Sequence, residues 1–253
     1  MALDWKSAQE NEKLFWENIY IHKKKDITYN RATNDGLLGF TKEVLSRHKI
    51  NLNNLKNKKL LDVGSGPYGI IKGLTILEEQ TNIKILKMVA ADPLMDFFKD
   101  KIGILKEDNH ISLVKTKGEK LPFEDNFFDY IFCTNVLDHC DKPEFVVKEC
   151  YRVLKKKGIF CPSLHVVYPI WGLAKNYIKY FDKNHPHHLL EKDLSKLLSK
   201  YFSNIINTYK ISIIKDNSSF TFRNIFKNRS KIRGLKRFLS NYLLYTTYYK
   251  AQK

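Results

Sequence analysis

The chain has 253 residues, 43% of them hydrophobic and 13% aromatic, which is enough apolar material to bury a sizeable core and excludes a disordered polar chain. It holds no apolar run near the roughly 20 residues of a membrane span, no apolar stretch after its charged start, and four cysteines without a C-x-x-C pair; a cytoplasmic protein without disulfides or zinc is expected. The formal net charge of +17 raises nucleic acid or an anionic membrane as partners, yet 37 Lys against 7 Arg points to coding bias rather than a built phosphate-reading surface.

In chain order, Trp5 to Tyr20 sets Trp5, Leu14, Phe15, Trp16 and Ile19 among charges, which predicts an amphipathic helix with an aromatic face. A second helix is expected over 31–48, and the Asn/Lys-rich stretch 51–59 reads as a connector. Short apolar runs and helical segments then alternate. Strands are expected at 59–63, 85–91, 111–115, 127–134 and 159–164, with helices at 70–79, 94–104 and 143–155 between them. This alternation implies parallel strands joined by crossover helices on both faces of one sheet. Residues 166–188 are irregular and rich in aromatics and His. A helix over 190–200, a strand over 205–214, the basic segment Arg223 to Arg237 and a last strand over 242–249 follow. Eleven basic residues and the single acid Asp216 lie between Tyr201 and Lys253, so +10 of the net charge falls there. One domain over 1–253 is the simplest account: a helical cap over 1–50, a core over 58–165 and an outer part over 166–253.

The segment LLDVGSGPYG, Leu60 to Gly69, is the most informative. A strand that ends in Gly64-Ser65-Gly66 lets a ligand approach the backbone and sit at the start of the next helix. Dinucleotide dehydrogenases share such a turn. Asp62 argues against them, because a carboxylate two residues before the first glycine suits a ligand ammonium and not a pyrophosphate. Asp92, at the end of the second strand, suits a ribose diol in either class.

Further on stand LPFEDNFFD, carrying Leu121, Pro122, Phe123, Asp125, Phe128 and Asp129, and then Glu149, Arg152, Val153, Leu154, Lys155 and Gly158. With these residues the chain resembles the class I S-adenosylmethionine-dependent methyltransferases, in the branch with an L-P-F-x-D-x-x-F-D signature. The resemblance implies an α/β Rossmann-like fold, with a mostly parallel seven-stranded sheet, helices on both faces and an N-terminal helical lid. It implies S-adenosylmethionine as cofactor. Gly64, Ser65 and Gly66 would line its methionine and ribose, Asp62 would hold its amino group and Asp92 its ribose hydroxyls. Pro93 and Leu94 would flank the adenine, Gly118 and Glu119 would close over it, and Asn135 and Val136 would floor the sulfonium. Two departures stand out: Tyr68 occupies the usual third glycine position, and Lys117 falls where an acid often meets the adenine amine. Asp125 and Asp129 are expected to fix the loop and strand start rather than touch ligand.

Methyl transfer from a sulfonium is an in-line displacement, so alignment and desolvation dominate and a base is needed only for a protonated nucleophile. His139 in NVLDHC is the candidate base, with packing at the start of the next helix as the competing role. His185 and His187 in HPHH, and Trp16 and Tyr20 on the first helix, are candidate substrate contacts; loop or core packing is the alternative for each. No metal is expected.

The leading expectation is O- or N-methylation of a small, anionic acceptor, such as a phosphorylated or nucleotide-linked sugar in bacterial surface-polysaccharide biosynthesis. A tRNA or rRNA methyltransferase that uses the basic segment 223–237, and a non-catalytic cofactor-binding or membrane-associated scaffold, are the alternatives. Oligomeric state is left open.

Overall fold

The computed structural model describes residues 5–20, 33–67, 69–102, 106–174, 186–212 and 244–253. Helix α1 spans Trp5–Tyr20 and α2 Asn34–Arg47, the latter started by Thr33, whose hydroxyl accepts the Gly36 N–H at 3.0 Å. Within the expected connector, Leu52–Leu55 form a 3-10 turn capped reciprocally by Asn51 and Asn54. Then come β1 (Lys59–Val63), α3 (Ile70–Gln80), β2 (Lys87–Asp92), α4 (Met95–Ile102), β3 (Ile111–Lys115), β4 (Phe128–Thr134) and α5 (Pro143–Val153). Strand β5 (Leu154–Val167), a 3-10 turn at Pro169–Ala174, α6 (Glu191–Ser199), β6 (Asn204–Ser212) and β7 (Leu244–Gln252) complete the described chain.

The seven strands form one sheet in the order β3-β2-β1-β4-β5-β7-β6. The pairs from β3 through β5 are parallel, and β7 runs antiparallel to both β5 and β6. Strand order reverses between β1 and β4, so the connections leaving their carboxyl ends diverge and open a crevice. Period-two alternation assigns the two faces of the sheet. Leu61, Val63, Val89, Ile131 and Cys133 pack with Val146, Val147 and Val153 of α5 and with Leu194 and Leu198 of α6. Their strand neighbours Leu60, Met88, Ala90 and Phe132 pack with Val44 and Leu45 of α2 and Ile70, Ile71 and Leu74 of α3. Each fully buried Leu, Ile or Phe in these layers contributes roughly 1.5–3 kcal/mol, so both faces of every central strand are committed to the core.

Strand β5 departs from its expected range of 159–164, because it begins as α5 ends. Leu154 pairs with Phe128, an irregularity follows between Phe128 and Tyr130, and Lys155, the expected end of the helix, and Lys157, the expected turn, both lie in the strand. Burial of Leu154 at 0% exposure decides that outcome over the helical propensity of its lysine neighbours. No described helix is long and apolar enough to cross a membrane.

Candidate active site

The crevice at the β1/β4 switch point is an open cleft with a cavity volume of about 240 Å³. Its floor is the glycine turn. Gly64 and Gly66 both take positive φ, at 65° and 54°, and the N–H groups of Gly64 and Ser65 bond to Ala91 O at the end of β2. A Cβ at Gly64 would collide with the side chain of Val136, and one at Gly69 would collide with Asp62 Oδ2. Both glycines are therefore demanded by close approach, and at Gly64 also by its φ. Tyr68 lies outside the described residues.

Two buried carboxylates stand under this turn. Asp62 is 3% exposed and its Oδ2 accepts the Ile70 N–H at 2.9 Å, so a residue of β1 caps α3, which has no side-chain cap of its own. Asp92 is 7% exposed; its Oδ2 accepts from Gly66 N at 2.9 Å and its Oδ1 from Leu94 N at 2.8 Å. Burial pushes Asp62 up to about 7, with the charge of Asp92 adding to the rise. Asp92 rises to about 6, again chiefly through burial, with Glu12 adding to it. Asp62 Oδ2 and both Asp92 oxygens each accept one backbone N–H and keep a lone pair for a ligand donor, and a cationic or hydroxyl-bearing ligand would relieve the desolvation that raises both groups.

The walls bring together most of the residues expected from sequence. Ser65, Pro93, Leu94, Gly118, Glu119, Asn135, Val136, His139 and Trp16 all line the cleft. Glu119 does a second thing: its Oε1 accepts the N–H groups of Asp141 (2.7 Å) and Lys142 (3.2 Å), fixing the chain just before α5. Asn135 sits at φ 56° with its N–H on Ser163 O at 2.8 Å. Trp16 stands against Gly66 with its Nε1–H on Glu12 Oε1 at 2.8 Å, so α1 covers the turn. His139 Nε2 lies 3.9 Å from Asp138 Oδ1.

Two histidine expectations fare differently. His187 does not line the cleft; its Nε2 faces Cys140 O at 3.0 Å and Asp141 O at 3.1 Å, and its N–H bonds to Asp138 O at 3.2 Å, so it braces the loop that carries His139. His185 and the basic segment 223–237 lie outside the described residues, as does the side chain of Tyr20.

Sequence reasoning missed Gln9, Glu12, Phe40, Thr134 and Cys140, which also line the cleft. Gln9, Glu12 and Trp16 follow the i, i+3, i+7 spacing of one helix face, a signal that was legible but was overshadowed by the aromatic pattern beside it. The signature residues behave structurally. Arg152 binds Leu121 O, Phe123 O, Asp125 and Glu149, latching LPFED to α5, and Asp129 accepts from Lys59 N and Lys155 Nζ.

The donor set fits an adenosyl amino acid. Gln9 Oε1 and Asn135 Oδ1 are buried with no hydrogen-bond partner among the described residues, and both belong to residues lining the cleft. Acceptors of this kind, with Asp62 and Asp92, suit a ligand rich in ammonium, amine and hydroxyl donors. The sheet order and the cleft at its switch point define a Rossmann-like α/β protein with a ligand site at the glycine turn.

Comparison with known proteins takes this further. Residues 61–161 match the family described as methyltransferase domain. Over 131 residues the chain is 29% identical to the ubiquinone/menaquinone biosynthesis C-methyltransferase UbiE of Rickettsia prowazekii, covering 51% of this chain and 52% of that protein. It is 25% identical over 176 residues to the chloroplastic 2-methyl-6-phytyl-1,4-hydroquinone methyltransferase of Spinacia oleracea, covering 66% and 45% respectively. The chain spans about half the length of the curated relatives it matches. Haemonchus contortus phosphoethanolamine N-methyltransferase 2, solved with phosphomonomethylethanolamine and S-adenosylhomocysteine, shares the fold at TM-score 0.58 and 15% identity, over 91% of this chain and 61% of that one. Over residues 61–161 the chain is thus similar to a methyltransferase domain, and it shares its fold with a solved methyltransferase.

Proposed function

We propose that the protein transfers the methyl group of S-adenosylmethionine to a small, uncharged and lipophilic acceptor of the hydroquinone or phenol kind. The observation that carries the transfer reading is the pair of buried carboxylates, Asp62 and Asp92, set beneath the glycine turn at the switch point. Bound there, S-adenosylmethionine supplies an electrophilic methyl on a sulfonium. Asp62 is oriented by Ile70 N toward the ligand amino group, and Asp92 by Gly66 N and Leu94 N toward the ribose hydroxyls. Pro93, Leu94 and Gly118 frame the adenine, while Asn135 and Val136 back the methyl-donor end. His139, at the carboxyl end of the sheet and on the cleft wall, accepts a proton from the acceptor hydroxyl as methyl transfer proceeds.

The charge of the lining argues for the acceptor class. Glu12, Asp62, Asp92 and Glu119 line the cleft against Lys117 as its one lysine or arginine among the described residues, which disfavours the phosphorylated sugar expected from sequence. The two curated relatives are named for quinone or hydroquinone substrates, in keeping with a neutral aromatic acceptor. All four cysteines are free and buried, as suits a reducing, cytoplasmic setting.

Incubation with methyl-labelled S-adenosylmethionine and a panel of hydroquinones, sugar phosphates and bulk tRNA tests this reading. Label in the hydroquinone fraction is expected. Label confined to sugar phosphate or tRNA would overturn the acceptor class, and failure to bind S-adenosylhomocysteine would overturn the transfer reading itself.

A further inference from the structure

The loop between β4 and α5 carries His139 and Cys140 onto the cleft wall, and its backbone is held in a regular way. The peptide group that joins Cys140 to Asp141 has its C=O facing His187 Nε2 at 3.0 Å and its N–H donating to Glu119 Oε1 at 2.7 Å. The next peptide group, which joins Asp141 to Lys142, repeats this: its C=O faces the same Nε2 at 3.1 Å and its N–H donates to the same Oε1 at 3.2 Å. Two successive peptide groups are therefore held side by side between one imidazole and one carboxylate. Carbonyl oxygens only accept, so Nε2 of His187 carries the hydrogen.

The two holders come from separate parts of the chain, His187 from the segment before α6 and Glu119 from the loop between β3 and β4. A donor on the C=O side and a carboxylate on the N–H side polarise each peptide group in the same sense, so each bond strengthens the other. His187 also gives its own N–H to Asp138 O at 3.2 Å, and inside the loop the N–H groups of His139 and Cys140 both bond to Val136 O, at 2.9 and 3.2 Å. The backbone is thus fixed on both sides of His139, whose side chain is 24% exposed on the cleft wall. A histidine that only filled space here would need no N–H aimed at two carbonyls.

We propose that His187 is a positioning residue for methyl transfer: together with Glu119 it holds the 138–142 loop so that the imidazole of His139 meets the acceptor hydroxyl. Misplacing a reacting group by about 1 Å costs on the order of 100-fold in rate, which sets the scale of what such a support contributes. The inference deepens the proposed function and rests on it for the role of His139 as base; the placement of His139 is measured without turnover.

The test compares His187→Ala with His187→Gln, whose side-chain amide keeps a donor, in the full chain. Ring C–H signals of His139, assigned through their loss in His139→Gln, are read by NMR. They are expected to shift or broaden in His187→Ala and to keep their wild-type positions in His187→Gln, with both variants melting cooperatively. With a hydroquinone, kcat should fall about 10- to 100-fold in His187→Ala at nearly unchanged KM, and His187→Gln should recover most of it. The double variant, His139→Gln with His187→Ala, should be no slower than His139→Gln alone, because a residue that acts through His139 then has nothing to act on. Unchanged His139 signals in His187→Ala overturn the proposal whatever the enzyme methylates. So do losses that multiply in the double variant, or loss of cooperative melting in His187→Ala, which would make His187 a support of the whole fold. If wild type methylates no phenol, the proposed function fails, and the His139 signals alone decide whether His187 places that ring.

Discussion

The pH dependence of cofactor binding follows from the two buried carboxylates and can be worked through. Burial holds Asp62 at about 7 and Asp92 at about 6, and both must be ionised to meet an ammonium and a ribose diol. At about pH 8 the doubly ionised fraction is about 0.9; at about pH 6 it is about 0.05, since only about a tenth of Asp62 and half of Asp92 are ionised. Apparent affinity for S-adenosylhomocysteine scales with that fraction, so it should rise about 20-fold from about pH 6 to about pH 8, equivalent to about 1.8 kcal/mol. Asp62→Asn removes the upper step and should leave about a twofold rise, at lower affinity throughout. Adenosine, which has no amino-acid arm, should show the same twofold rise with the wild-type protein. Isothermal titration calorimetry in matched buffers reads all three, and binding should release protons. The sign for the free protein is opposite: these groups hold protons more tightly folded than unfolded, so its stability should fall as pH climbs from the ordinary carboxylate value of 3.8 to about 7 and then level off. A flat affinity profile, or a full 20-fold rise retained by Asp62→Asn, would refute the assignment.

Four further outcomes are expected. Gly64→Ala forces a Cβ into Val136 at φ 65°, so thermal unfolding should show a loss of roughly 1–3 kcal/mol together with weakened S-adenosylhomocysteine binding. Glu119→Ala releases the segment that leads into α5 and should lower stability in urea by about 1–3 kcal/mol, through the two N–H groups it satisfies. Lys253→Ala removes an ammonium that bonds Tyr151 O (2.7 Å), Leu154 O (2.8 Å) and Asn126 Oδ1 (2.9 Å) at the end of α5, and a melting curve should register roughly 1–3 kcal/mol. His139→Gln should lower kcat by about 100-fold or more with S-adenosylhomocysteine affinity unchanged, and a wild-type kcat would leave His139 a packing residue.

How much of this was legible in the sequence depends on the range over which each signal acts. Strands β1 and β3 and helix α1 fall on their expected ranges, because hydrophobic alternation and helical spacing are local and the flanking turns are marked by Asn, Gly and Pro. Asp62, Gly64, Gly66 and Asp92 were readable for the same reason: each is defined by its distance from one turn. Residues tied across the fold were not. That Asp62 caps α3 and Glu119 holds the entry to α5 depends on side chains reaching across the turn or from a separate loop. The bracing position of His187 depends on carbonyls 46 and 47 residues away, which no spacing rule within HPHH could reveal. The early start of β5 at Leu154 was hidden by a lysine run whose conformation is set by the partner strand.

The net charge takes on a different meaning once position is considered. On the proposed reading, the net charge of +17 does not serve to recognise the acceptor in the cleft, because the acidic residues among its described lining would repel an anion. They attract instead the cofactor's own ammonium and sulfonium charge, and the raised values of Asp62 and Asp92 measure how much ionisation that ligand must restore. Raising salt should therefore leave turnover of a water-soluble hydroquinone nearly unchanged; a steep fall would mean that surface cations take part in recognising the acceptor.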